Sequence, residues 1–194
     1  MNEQAINLVN SLDEMRLDCA RGQKKGLHFM AASIIVWAAI FFVHMSDMPM
    51  LDKNIYTFWC TGITFPLALI FSKIFRIDFA GKSNPLNKAG LLFTCNQIIY
   101  LIIPIWMCGA VEENMLMVFT IIFGAHLLPY SWLYKSPTYF ALSIFIPIAA
   151  VIAGCNFDNT VLAAMMICIQ IICAVGLTIE NMILKKVKID KIKE

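Results

Sequence analysis

The sequence predicts an all-α polytopic membrane protein: six transmembrane helices in one bundle, with the amino and carboxyl termini both cytoplasmic. Three observations carry this. Of the 194 residues, 60% are hydrophobic and 14% charged, and the mean hydropathy is +0.74, outside the range of a water-soluble domain. Six apolar stretches have the roughly 17 to 25 residues that a helix needs to cross about 30 Å of hydrocarbon. Of the 15 Lys and Arg side chains, only Lys53 falls on the outer side, as the positive-inside rule requires.

Residues 1–26 read as a cytoplasmic amphipathic lead. Ala5, Leu8, Leu12, Met15 and Cys19 recur at helical spacing, with Val9 on the same side. Such a helix is expected along the inner headgroups, where Arg16, Arg21, Lys24 and Lys25 meet anionic lipid. A short coiled-coil contact between protomers is the rival reading. The six-helix domain then occupies 27–184, with spans at 27–45, 55–75, 89–110, 115–134, 138–154 and 160–184. Inside lipid every backbone polar group needs an internal partner, so runs of this length become helices. Residues 185–194 form a basic cytoplasmic tail.

The connections agree with this order. Arg76, Lys82, Lys88 and Lys135 mark inner loops, whereas Asp47, Asp52, Glu112, Glu113 and Asp158 mark outer ones. Tyr56, Trp59 and Trp106 anchor outer ends; Tyr130, Trp132, Tyr134 and Tyr139 anchor inner ones. Ser136 followed by Pro137 predicts an N-cap with proline in the first turn of the fifth helix, which makes the fourth and fifth helices antiparallel neighbours. Pro66, Pro104, Pro129 and Pro147 predict one break in each of the second to fifth spans. The stretch from Arg76 to Lys88 is the candidate for a structured inner loop.

Polar groups at membrane depth are costly, so they are paired or functional. Asn96, Gln97 and Tyr100 share a face of the third span, and His126 and Tyr130 a face of the fourth. Asn96 and His126 lie on the order of 11 Å from the inner ends, at about 1.5 Å per residue, so Asn96 or Gln97 is placed to hydrogen-bond His126. Gln170 lies on one side of the sixth span with Cys173, Gly176 and Glu180. The last of these is expected to reach water or pair with Lys185 or Lys186. Two readings of Asn96, Gln97, Tyr100, His126, Tyr130 and Gln170 stay open: a polar intramembrane pocket for a small-molecule ligand, or interhelical glue.

The seven cysteines are read chiefly as apolar fillers, although Cys108 and Cys155 would meet near the outer face if the third and sixth helices were neighbours. Ala149, Ala150, Ala153 and Gly154 have the four-residue spacing that lets helices approach closely, either within one chain or in a homo-oligomer. A weak echo between residues 95–99 and 168–172 suggests two inverted three-helix halves. Zinc-hydrolase, nucleophile-elbow and phosphate-loop motifs are missing. No cofactor, metal site, catalytic residue or nucleic-acid partner is therefore expected. An intramembrane enzyme using His126 as a base is the weakest reading.

The runs RGQKKGL (Arg21 to Leu27), FPLALIFSK (Phe65 to Lys73), KSNPLNKAGL (Lys82 to Leu91) and FGAHLLPYSWLY (Phe123 to Tyr134) resemble a family of small bacterial multi-pass membrane proteins, a domain of unknown function. The resemblance spans about residues 20 to 155 and implies the cytoplasmic (inner) membrane of a bacterium. It implies no activity, cofactor or catalytic residue. The expectation is a small permease-like or solute-binding protein in contact with membrane lipid. The alternative is a non-catalytic accessory or scaffold protein whose buried polar groups only hold helices together.

Overall fold

The computed structural model describes residues 3–77 and 84–193, with side chains through 186. Lys82 of the inner loop and the side chains of Lys188, Lys191 and Lys193 lie outside the described residues. Helix α1 (Glu3–Gly22) leads through a one-turn 3-10 segment, Lys24–Gly26, into α2 (Leu27–Met45), the first span. The second span is α3 (Met50–Gly62) with α4 (Thr64–Ile74), the third α5 (Leu86–Tyr100) with α6 (Ile102–Ala110), and the fourth α7 (Met115–Ala125) with α8 (Leu127–Tyr134). Single helices α9 (Pro137–Asn156) and α10 (Asn159–Lys193) complete an all-α bundle with six spans long and apolar enough to cross a membrane. Both chain ends therefore lie at one end of the bundle, here the terminal end.

Proline explains the split spans. The interruptions fall at Ile63, Leu101 and His126, each three residues before a proline that lacks an N–H and crowds the preceding turn. At Ile63 and Leu101 the backbone tightens, with N–H bonds to Cys60 and Ile98 three residues back. Pro147 does not follow the expected pattern, because α9 runs through it without a break. There the fifth helix packs closely against α7, whose Gly124 receives the Ile146 and Pro147 side chains. The second span also begins earlier than the apolar run alone suggests, at Met50 directly after Pro49. Asp52 and Lys53 lower the hydropathy there without breaking a helix.

The core is continuous along the bundle. Trp37, Ile40, Leu116, Leu127, Ile146, Leu162, Met166 and Leu177 are all essentially inaccessible. The principal seams run between α2 and α10 and between α7 and α9, with α4 on α2. Ala150 and Ala153 are buried in this packing and Gly154 lies against Met117 of α7, so the small-residue stripe serves contacts within the chain. The third span is the least covered, with only 11% of its apolar window buried. Cys108 and Cys155 are both free thiols.

The lead is helical over Glu3–Gly22, and the two halves of α1 behave differently. Leu8 and Val9 are exposed, whereas Cys19 and Ala20 are buried against the bundle. Arg16 donates to the Trp132 carbonyl and sits over the Trp132 ring at 4.6 Å. Lys135 pairs with Asp13 at 2.9 Å, and these cations hold the Asp13 carboxyl below its usual range. Asn84 donates to the Met15 carbonyl at 2.7 Å and to Asp18 at 3.0 Å. Burial, with Asp18 beside it, pushes the Cys19 thiol up to about 11. Because the thiolate is the reactive form, maleimide at pH 7.5 is expected to modify Cys19 roughly a hundredfold more slowly than an ordinary thiol. Mass mapping of a time course checks this, and rapid labelling of Cys19 would show that α1 detaches.

Candidate functional site

The first and last spans meet along an antiparallel seam with three polar rungs. At the terminal end the chain turns from α1 into α2 through Lys24, Lys25 and Gly26, all with positive φ. This left-handed turn sends the Lys25 side chain into the bundle, where only 3% of the residue is exposed. Its ammonium donates to Glu180 Oε2 of α10 at 2.7 Å and to the Lys135 carbonyl at 3.2 Å. Glu180 Oε1 accepts from the Thr138 N–H at 2.9 Å and its hydroxyl at 2.6 Å, so the carboxylate also satisfies an open amide in the first turn of α9. Tyr139 donates to the Lys25 carbonyl at 2.8 Å and Asn181 to the Lys24 carbonyl at 2.9 Å. Glu180 thus pairs with Lys25 across the seam, and not with the expected Lys185 or Lys186.

The middle rung is Ser33 with Gln170, the Ser33 hydroxyl lying 2.8 Å from both Gln170 Oε1 and the Met30 carbonyl. One hydroxyl proton serves one of these acceptors at a time. Gln170 is 1% exposed and its Nε2 has no hydrogen-bond partner among the described residues. At the far end the Thr160 hydroxyl donates to the His44 carbonyl at 3.2 Å, and His44 Nε2 lies 3.2 Å from the Thr57 hydroxyl of α3. Asn54 of α3 donates to the Glu112 carbonyl at 2.9 Å. Polar groups therefore cross between helices at both ends and in the middle.

A second junction joins the third and fourth spans. The Tyr130 hydroxyl donates to the Gly90 carbonyl at 2.9 Å and lies 2.7 Å from the Thr94 hydroxyl. Tyr130 also stacks on Tyr134, with ring centroids 5.9 Å apart. The third and fourth spans are thus joined by Tyr130 and Thr94, rather than by an amide and an imidazole.

The six residues singled out from the sequence do not converge. His126 Nδ1 folds back onto the Phe123 carbonyl of its own helix, and its ring meets Phe123 and Tyr130 edge to face. Neither Asn96 nor Gln97 hydrogen-bonds it. Asn96 and Tyr100 lie exposed on the outside of the bundle, Gln97 is half-buried, and Gln170 lies in the α2–α10 seam. A groove of about 480 Å³ opens between the second and third spans. Its lining of Ile55, Phe58, Trp59, Gly62, Ile105 and Cys108 is apolar and includes none of the six.

Several participants had no distinguishing mark in the sequence. Lys25 read as one of four lead cations, and Ser33, Thr94 and Thr138 as ordinary small residues of apolar helices. Only the left-handed turn and the helix pairing give them their roles.

Residues 12–180 match the model of a family of unknown function, DUF7010. Neither the curated proteins nor the solved structures searched gave a match.

Proposed function

We propose that this chain, which belongs to the DUF7010 family, is a non-catalytic accessory or scaffold protein of the membrane whose buried polar side chains act as interhelical fasteners. One observation carries this reading: the α2–α10 seam and the Tyr130 junction spend their polar groups on neighbouring helices, while the groove between the second and third spans is apolar. Interhelical hydrogen bonds of this kind contribute roughly 0.6 to 2 kcal/mol each. Both termini face the cytoplasm in this reading, supported by the sorting of cations to the terminal end and by Arg16 and Lys135 gathered there. The membrane is the cytoplasmic membrane of a bacterium, supported by the family resemblance.

Gln170 provides the sharpest test. Replacing it with leucine removes a buried amide whose Nε2 is unmatched and leaves Ser33 its bond to Met30. A lost hydrogen bond of about 1 kcal/mol is offset by relief of an unsatisfied donor worth about 1 to 3 kcal/mol. Gln170→Leu is therefore expected to unfold within about 1 kcal/mol of the parent protein or later. The scaffold reading also expects no saturable rise in melting temperature with amino acids, sugars, nucleosides or metal cations. A ligand at a hundred times its Kd adds about 2.7 kcal/mol, so a clear shift abolished by Gln170→Leu would overturn the reading. Cysteine labelling from outside the cell reads the orientation, and modification of an engineered terminal cysteine would reverse it.

A further inference from the structure

We propose that the third span is a self-association surface, on which a second copy of this chain docks in parallel and the two Asn96 amides hydrogen-bond each other. Asn96 lies within about 3 Å of the midpoint of the span Leu86–Ala110. It is exposed on the outside of the bundle and makes no hydrogen bond to a side chain or carbonyl among the described residues. A lone carboxamide facing hydrocarbon at that depth has no water to replace the missing partner.

The neighbours of Asn96 define a seam. Leu92, Asn96, Ile99, Ile103 and Trp106 follow one another at alternating spacings of four and three, and the four apolar members are between 47% and 66% exposed. Alternation of four and three is the repeat of a left-handed helix pair, with Asn96 at one inward position of the heptad. The path crosses the tightened turn at Leu101, whose φ −64 and ψ −14 stay in the right-handed helical region.

The occupant follows from topology and chemistry together. Two copies inserted the same way present their third spans parallel and at equal depth, so Asn96 meets Asn96. A carboxamide is both donor and acceptor and complements itself. A single asparagine at an inward position of a parallel pair fixes register and favours two strands. The surface uses none of the fasteners within the chain, so it stands apart from the scaffold reading above.

The test uses the full-length protein in phosphatidylcholine vesicles, labelled with donor and acceptor fluorophores and diluted in lipid. Energy transfer between copies is expected, weakened about 5- to 30-fold in dissociation constant by Asn96→Leu, the loss that one or two membrane hydrogen bonds produce. Asn96→Gln is expected to retain association, and Gln97→Leu, off the seam, to leave it unchanged. With Cys95, Cys155 and Cys168 replaced by alanine, Ile99→Cys is expected to form an interchain disulfide and Ile98→Cys to form little. This readout keeps Asn96 intact and decides the matter if Asn96→Leu folds poorly. A parent protein that stays monomeric, association indifferent to Asn96→Leu, or equal cross-linking at 98 and 99 overturns the proposal. Association only with a different protein would do the same.

Discussion

Glu180→Leu is expected to destabilise the bundle by about 3 to 5 kcal/mol, the cost of removing one partner from a buried ion pair. The Lys25 ammonium would be left with the Lys135 carbonyl at 3.2 Å as its acceptor, in a site where its side chain is only 4% exposed. The open Thr138 amide at the start of α9 would lose its acceptor in the same stroke. The reverse substitution should cost less. In Lys25→Met the carboxylate keeps both Thr138 donors, and its side chain retains 11% exposure. Replacing both residues should recover part of the Glu180→Leu loss, because an apolar pair strands no charge. Denaturant unfolding in detergent for the two single variants and the double variant measures the coupling. A Glu180→Leu protein within 1 kcal/mol of the parent would show that water reaches Lys25 freely.

Gly124→Ala should also be severe, although it adds one carbon to an apolar site. The new Cβ would lie 2.7 Å from Ile146 Cβ and Cγ2 and from Pro147 Cδ. The first two belong to a β-branched residue with one favoured helical rotamer and the third to a ring, so none swings aside as the end of a long chain would. Overpacking of this kind costs about 1 to 3 kcal/mol, and Gly124→Leu should exceed that range. Gly154 provides a milder case, since the nearest atoms to its added Cβ belong to Met117, whose Cγ and Sδ can swing aside although its Cβ at 2.8 Å is fixed to the backbone. Gly154→Ala is therefore expected to lower the melting temperature, but by less than Gly124→Ala. Equal losses at both glycines would contradict the rigid α7–α9 contact.

Hydropathy and charge made the six spans readable, because lipid imposes a length and a cationic bias that survive without knowledge of the packing. Ser136 and Pro137 are equally local: the Ser136 hydroxyl accepts from the Tyr139 N–H at 3.3 Å, as the motif anticipates. The breaks before Pro66, Pro104 and Pro129 follow from the missing N–H, whereas α9 continues through Pro147, where it packs closely on Gly124 of α7. Side-chain direction was much less legible. Asn96, Gln97 and His126 lie at similar depth, but depth leaves the rotation of each helix undetermined, and the structure turns Asn96 outward and folds His126 onto its own backbone. Lys25 was hidden for a different reason. A cation at a membrane boundary ordinarily signals topology, and only positive φ at Lys24, Lys25 and Gly26 redirects this one inward.

Pairing of α2 with α10 also sets the order in which the molecule can be completed during synthesis. The first span leaves the ribosome more than a hundred residues before Gln170 and Glu180 exist, so Lys25 and Ser33 must wait in the insertion machinery or in lipid without their eventual partners. Closure comes only when the final helix arrives. A nascent chain halted before residue 159 should therefore be a substrate for membrane quality-control proteolysis, even with five of its six spans already inserted.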